Sequence, residues 1–430
     1  MSATPNELIK FIDSSPSPYH CVQSVVERLS NAGFTELNSE LIWPKLSVGD
    51  GHFIRRNGTL IAWRNGTGAP AGSGFRIIGA HTDSPNLRLK PTPEYLSHGL
   101  TQWGVQVYGG VLLYTWFDRD LGLSGRVFTK SGDGLIEHLV NVSRPIARIP
   151  SLAIHFNRSV SESGFKPNKQ DHLPPLVALD WAHEQGVLDH LVSESIGLEP
   201  DQIVGHDLML HPLAPSALGG VDEEFIFAPR IDNQASCYTA LEGLLGAPLG
   251  DPTALIALFD HEECGSGSAH GGDGALIEHV LRRIVGRHEV QAEGGFERAA
   301  ANSYMISADM AHGVHPNYSA YHDGHHKPLL GGGPVIKTHT NQRYATDGET
   351  AARFRSACAA LDIPVQEFVI RTDLRCGSTI GPITSSNLGI RTVDVGCSML
   401  SMHSIREQAA SADVSMMAAV KAHVLGGANS

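Results

Sequence analysis

Apolar positions recur at helical spacing twice near the start of the chain, over Glu7–Ile12 and from about His20 to Leu29, where Cys21, Val22, Val25, Val26 and Leu29 share one face. Ser14-Ser15-Pro16-Ser17-Pro18 separates the two predicted helices and Gly33 ends the second. Strand-like runs follow at Phe53-Ile54 and Thr59–Trp63, with Asn57-Gly58 between them as a hairpin turn, and then a compact apolar strand, Phe75–His81. From about Lys90 to Gly220 the pattern changes. Val105–Tyr108, Val111–Trp116 and Gly125–Thr129 alternate or are β-branched between Gly and Asp turns, and Asp180–Leu191 reads as a helix. After Val221 strands alternate with helices again. Strands are predicted at Phe225–Phe227, Ala254–Phe259, Tyr304–Ser307, Val365–Ile370 and Thr392–Val395, and helices through Ala240 to Leu245, over Ala275–Ile284, over Glu349–Leu361 and from about Gln408 to Val424. This alternation implies an α/β fold with a mostly parallel sheet flanked by helices, formed by residues 1–90 and 221–430, with a β-rich domain inserted at 91–220.

The chain has 430 residues, 41% of them hydrophobic, which is enough for a folded core and excludes disorder for most of its length. Lys and Arg number 32 against 45 Asp and Glu, a net charge of −13 that argues against nucleic acid or an anionic membrane as partner. The N-terminus shows no basic region followed by an apolar stretch, and no window is long enough for a membrane helix, so the expected location is the cytoplasm. Six cysteines without a C-x-x-C pair indicate neither a disulfide scaffold nor a thiolate zinc site. Histidine is abundant, 23 residues, which turns attention to metal and proton chemistry.

The residues that follow the apolar strands of the α/β part carry that chemistry: His81-Thr82-Asp83, Arg230-Ile231-Asp232-Asn233, Asp260-His261-Glu262-Glu263, Ala308-Asp309-Met310 and Met402-His403-Ser404. Open α/β sheets bind ligands beyond the carboxyl ends of their strands, so these five termini are expected to meet on one rim. Two imidazoles with several carboxylates and no thiolate form a ligand set for Zn²⁺, Co²⁺ or Mn²⁺, and their number exceeds what a single catalytic zinc uses. Two metals sharing a bridging carboxylate fit better. Asp83 could accept the second ring N–H of His81 or of a neighbouring imidazole. Adjacent Glu262 and Glu263 point different ways on an extended segment, so one can bind metal while the other takes a proton from the attacking water and delivers it to the leaving amine.

Each feature has a plainer reading. Asp232 before Asn233-Gln234-Ala235 also fits a helix N-cap, and a lone His81 fits a structural histidine; the coincidence of five such termini favours metal. Gly331-Gly332-Gly333-Pro334 lacks the Lys and Ser/Thr of a phosphate loop and reads as a tight turn before Val335-Ile336-Lys337. The cluster His322–Lys327 reads as solvated loop, and Gly265–Ala269 lacks the G-x-S-x-G of a serine hydrolase.

The blocks His81–Pro85, Pro229–Asn233, Asp260–Ser266, Ser307–Gly313, Asn341–Thr346 and Met402–Glu407, in this order, resemble the M18 family of metalloaminopeptidases, the aspartyl aminopeptidases, in their bacterial cytoplasmic form. The resemblance runs from the first helices to the last. It implies a catalytic domain like that of dinuclear zinc exopeptidases with an inserted β-rich dimerisation domain. It further implies that Asp232 bridges two Zn²⁺ per subunit, with His81 and Asp309 on one side and Glu263 and His403 on the other, and that Glu262 is the general base. It implies substrates that are peptides with N-terminal Asp or Glu, and assembly of dimers into a closed tetrahedral dodecamer.

By the same resemblance, Lys337 holds the acidic side chain with Tyr344 and His312 nearby, and His155 of the insertion reaches into a neighbouring subunit's site, residue type alone also permitting it as a metal ligand. Arg375 stands where a small residue or proline is expected; facing the pocket it would add positive charge for acidic substrates, facing solvent it would do nothing. The competing expectations are a related dinuclear carboxypeptidase or deacylase, and a non-catalytic shell-forming protein that keeps the fold.

Overall fold

The computed structural model describes residues 3–180, 186–288 and 293–427. Its centre is a nine-stranded mixed sheet in the order Thr35–Glu36, Gly51–Arg56, Thr59–Arg64, Thr253–Phe259, Phe75–His81, Tyr304–Ala308, Arg391–Gly396, Val335–Lys337 and Gln366–Phe368. The four strands from Thr253–Phe259 to Arg391–Gly396 run parallel, and antiparallel pairing enters only toward the two edges. Thr253–Phe259 and Phe75–His81 are buried along their whole length, as strands covered on both faces must be.

Alternate residues of each strand feed two separate cores. Ile78, Ala80, Ile256, Leu258 and Ile306 pack beneath the helices Pro5–Asp13, Pro18–Asn31, Ile231–Gly246, Gly348–Ala359 and Ala412–Leu425. Phe75, Ile77, Leu255, Ala257 and Met305 face the helices Leu276–His288, Gly295–Ala301 and Ile380–Leu388. The two N-terminal helices start where the sequence predicts a start. Thr4 and Ser17 accept from the backbone N–H groups of Glu7 and His20, and Pro5 and Pro18 occupy the first helical position.

A second, fully antiparallel sheet is built entirely between Asn86 and Pro212, in the order Gly134–Ala147, Leu121–Ser131, Ile203–Pro212, Asn86–Ser97, Leu100–Tyr108, Leu176–Leu179. A third, five-stranded sheet joins Ala217–Gly219, Phe225–Ala228, Glu407–Ala410, Ser398–Leu400 and Ala311–His312 beside the carboxyl end of the central sheet.

Several sequence expectations need correction. Val111–Trp116 is not a strand: Leu113–Trp116 is a short 3-10 helix whose Tyr114 is solvent-exposed. Phe225–Phe227 is a strand of the third sheet, not of the central one. The C-terminal helix begins at Ala412, because Glu407–Ala410 is drawn into pairing with Phe225–Ala228. The strand at Val365–Ile370 shrinks to Gln366–Phe368 at the sheet edge. The helix Ile380–Leu388, hidden in a Gly-, Pro- and Ser-rich stretch, starts at a Thr379 cap. Of the helix expected over Asp180–Leu191, residues 181–185 lie outside the described residues, and the described helix is Val187–Ile196. The Asn57-Gly58 turn forms as expected; a Cβ on Gly58 would lie 2.3 Å from the buried carboxylate of Asp260, so only glycine lets the turn close onto the start of the Glu262 loop.

Candidate metal centre

Three of the five polar termini leave the central sheet: His81 ends Phe75–His81, the Glu262-Glu263 turn follows Thr253–Phe259, and Asp309 follows Tyr304–Ala308. The other two arrive from the third sheet, Asp232 after Phe225–Ala228 and His403 after Ser398–Leu400. The expectation that all five sit at carboxyl ends of one sheet is therefore corrected, although they do converge. Together they line a cleft of about 1370 Å³ with Lys337, Arg343, Tyr344, His312, Ser378 and Thr379.

His81 Nε2 lies 3.6 Å from Asp232 Oδ1, 3.9 Å from Asp309 Oδ1 and 4.0 Å from Glu262 Oε2. His403 Nε2 lies 3.2 Å from Asp232 Oδ2 and 3.3 Å from Glu263 Oε1. The two oxygens of Asp232 thus address two different imidazoles. Each ring turns Nε2 inward because its Nδ1 donates to a backbone carbonyl, that of Asp83 for His81 (3.0 Å) and that of Gly110 for His403 (3.0 Å). Asp232 is not a helix cap: its φ and ψ are non-helical and its Oδ1, buried, has no hydrogen-bond donor among the described residues.

Asp83 faces the second ring nitrogen of His81 and also serves the backbone of the Glu262-Glu263 turn. Its carboxylate stands 3.5 Å from His81 Nδ1, and accepts the Tyr108 hydroxyl at 2.6 Å and the backbone N–H groups of Glu262 and Glu263 at 3.2 and 3.1 Å. Those two N–H groups belong to a tight turn rather than to an extended segment, entered through a left-handed His261 and left through Gly265. The turn sends Glu262 toward His81 and Glu263 toward His403.

Carboxylates outnumber cations in this cleft, and their proton affinities record it. Burial pushes Glu262 up to about 8, with Asp309 and Glu263 adding to it and His81 opposing. Burial likewise lifts Glu263 to about 7 against the pull of His403, and Asp309 to about 6 against that of Lys337. Asp232 goes the other way: burial would raise it, but the hydrogen bond from His403 and the charge of His81 hold it down at about 2. His403 keeps its proton up to about 11, burial being outweighed by Asp232 and Glu263. The donor set therefore suits divalent cations. One donor atom each from His81, Asp232 and Glu263 lie within 4.8 Å of one another, and the buried oxygens Asp232 Oδ1 and Glu263 Oε1 lack any donor among the described residues.

Around this centre Lys337, 2% exposed, donates from Nζ to the carbonyls of Asp309 (2.9 Å) and Met310 (3.2 Å), and stands 3.6 Å from Asp309 Oδ2 and 5.1 Å from the Tyr344 ring centroid. His312 lies edge-on to Phe368 and its carbonyl accepts from His322, so one residue of the His322–Lys327 cluster braces the cleft. Arg375 is exposed and does not line the cleft; the guanidinium that does is Arg343. His155 is also remote, on an exposed 3-10 helix between Ile154 (56% exposed) and Phe156 (82%).

Two buried acids that brace the cleft escape the sequence reading. Glu407, 2% exposed, accepts the Asp232 N–H at 3.1 Å and the His403 N–H at 2.7 Å, tying together the two ligands of the third sheet. Asp394, fully buried, accepts from Ser307, Thr379 and the Ala345 N–H, all at 2.6 Å, joining three walls of the cleft. Glu407 lay within the Met402–Glu407 block, so its signal was present; Asp394 sits mid-strand, where no polar-terminus pattern marks it.

Residues 11–423 match the family model for Aminopeptidase I zinc metalloprotease (M18). A Pseudomonas aeruginosa (strain LESB58) protein, Probable M18 family aminopeptidase 2, is 45% identical over 417 residues, covering 96% of each chain. Among solved structures, a chain of the cryo-EM Ape4 and Nbr1 complex is similar with a TM-score of 0.94 and 37% identity, over 99% of this chain and 86% of that one. The S. cerevesiae mApe1 dodecamer is similar with a TM-score of 0.85 and 29% identity, over 97% and 95%. No helix among the described residues is long and apolar enough to cross a membrane.

Proposed function

The chain belongs to the M18 family of zinc metalloproteases, and from that premise we propose that it removes N-terminal Asp or Glu from peptides at a site built for two zinc ions. Aminopeptidase activity follows from the family; the acidic preference and the pair of ions are the finer reading. The observation that carries it is the carboxylate of Asp232, whose separate oxygens face His81 at 3.6 Å and His403 at 3.2 Å, as a bridging ligand would. In this reading His81 and Asp309 would hold one ion and Glu263 and His403 the other. Bound there, the ions supply Lewis-acid activation of the scissile carbonyl and of the attacking water.

The protein's own groups do the rest. Glu262, on the cleft wall 4.0 Å from His81 Nε2, is placed to accept the proton of the water and to return it to the leaving nitrogen. An ammonium has three donors, and Lys337 commits two of them to the Asp309 and Met310 carbonyls, leaving one for a substrate carboxylate. Tyr344 and His312 form the walls of that subsite, and Asp83 holds Glu262 in place through its backbone.

Peptides with an acidic first residue are the proposed partners, in a homo-oligomer of dimers closed into a dodecamer, mApe1 being a dodecamer. In that assembly residues 91–220 would be the dimerisation domain. The exposed Leu152, Ile154 and Phe156 around His155 support delivery of this histidine to a neighbouring copy, since an apolar patch of this kind is unfavourable in water.

Glu262→Gln tests the reading: zinc content by elemental analysis is expected to stay at the wild-type value while kcat on an aspartyl reporter falls by about two to four orders of magnitude. Near-normal turnover would refute the assignment of Glu262.

A further inference from the structure

A second, open cavity lies at the amino ends of the central strands, and Arg76, Arg298, Arg353 and Arg391 line it. We propose that this cavity is a binding site for a small anion bearing a phosphoryl group, separate from the catalytic cleft. Arg76, Tyr304 and Arg391 are direct register partners on three adjacent strands, so their side chains share one face of the sheet. Arg353 reaches the same space from the helix Gly348–Ala359, and Arg298 from Gly295–Ala301. The strand that carries Arg76 at its start carries His81 at its end, so the two sites are separated by roughly 17 Å at about 3.3 Å per residue.

Charge is unbalanced there. Arg76 is 4% exposed, donates Nη1 to the carbonyls of Phe75 and Asn302, and has no carboxylate within ion-pair distance among the described residues. Glu349 Oε1 alone serves both Arg353 (2.9 Å) and Arg391 (3.1 Å). The second acid at the cavity, Asp251, accepts from the Thr67 hydroxyl. Four guanidinium groups of the lining thus stand against two carboxylates, Asp251 in the lining and Glu349 paired to Arg353 and Arg391, in a chain whose net charge is −13. Burial and the charges of Arg353 and Arg391 all weaken the hold of Arg76 on its proton, so an anion seated between these groups would stabilise the arrangement.

A surplus of two positive charges matches a phosphoryl dianion. Guanidinium forks approaching from several elements suit a tetrahedral group of oxygens better than a planar carboxylate, which one fork satisfies. Inorganic phosphate and a phosphomonoester share this chemistry.

Isothermal titration of the zinc-loaded, assembled protein with inorganic phosphate, and separately with glycerol phosphate, tests the site. Saturable binding is expected, weakening with added salt. Arg298→Gln, at an exposed position, should weaken it about tenfold, the worth of one charge-assisted hydrogen bond, with hydrolysis of an aspartyl reporter unchanged. Arg391→Gln should weaken it further. Tighter binding of glycerol phosphate identifies a phosphomonoester as the ligand, and equal or weaker binding identifies free phosphate. Absence of saturable binding at millimolar anion, binding indifferent to both variants, or phosphate competing with the peptide substrate would each overturn the proposal. So would dissociation of the assembly by these variants without any anion binding, which would make the arginines a contact between copies.

Discussion

Asp83→Asn is the sharpest probe of how the Glu262-Glu263 turn is held. The carboxylate is fully buried and accepts three hydrogen bonds, from the Tyr108 hydroxyl and from the N–H groups of Glu262 and Glu263. Asparagine preserves the shape but offers one acceptor oxygen. In its best orientation the amide oxygen keeps Tyr108 and the Glu263 N–H, and the NH₂ group then faces the Glu262 N–H, donor against donor. The loss is one hydrogen bond to a charged acceptor, about 1.5–3 kcal/mol, together with a buried N–H left without a partner. Because that N–H fixes the residue proposed as base and its neighbour the residue proposed as metal ligand, the defect should appear in both functions. The expected result is a fall of about 10- to 100-fold in zinc affinity, read by competition with a chromophoric chelator, and a comparable fall in kcat/KM with saturating zinc. Tyr108→Phe removes one hydrogen bond to the same charged acceptor, about 1.5–3 kcal/mol, but strands no N–H and should cost less than Asp83→Asn. A variant Asp83→Asn that binds zinc and turns over like the wild type, with an unchanged melting temperature, would refute this reasoning, as would Tyr108→Phe proving the more damaging of the two.

Lys337→Ala should lose the preference for Asp and Glu more than overall hydrolysis, because the ammonium near Asp309 is the buried cation of the subsite; an unchanged ranking across a panel of aminoacyl reporters would discard its role. Chelation should abolish activity and Zn²⁺, Co²⁺ or Mn²⁺ should restore it; activity surviving complete chelation would remove the metal from the reaction. Acid stability should depend on His211. Burial, then Arg230, holds it neutral down to about 3, while an unfolded histidine titrates near 6.5, so below that pH the unfolded chain binds the extra proton and stability falls as pH falls. At pH 5 this amounts to about 2 kcal/mol, and His211→Gln should flatten the decline between pH 6.5 and 5 in thermal melts; an identical slope in the variant would contradict it.

The architecture was largely legible because its strands are apolar along their length and end abruptly in imidazole or carboxylate. Phe75–His81, Thr253–Phe259 and Tyr304–Ala308 all follow that rule. Phe225–Phe227 is apolar too but runs on through Ala228-Pro229-Arg230-Ile231 before its first carboxylate, and a short apolar run does not announce which sheet it joins. Only the non-local pairing with Glu407–Ala410 decides that. Val111–Trp116 has strand composition, but the Thr115 hydroxyl bonds the Leu112 carbonyl and accepts from the Ile405 N–H, and the segment coils. The positions expected at the site were legible as types; their hydrogen bonds were not. Which carbonyl orients His403, or that Asp83 serves backbone as well as imidazole, depends on Gly110 and on the turn at Glu262, far apart in the chain. Glu407 and Arg343 stood in motifs already noted, whereas Arg375, conspicuous for breaking a motif, turned outward.

Tyr108 and Gly110, which grip Asp83 and His403, belong to the last strand and exit loop of an antiparallel hairpin, outside the α/β framework. The hairpin is thus a clamp on the reaction centre and not an appendage to it. Excising the antiparallel module would therefore strip Asp83 and His403 of their holds, and any torque that neighbouring copies exert on that module would be transmitted straight to an imidazole and to the Glu262-Glu263 turn.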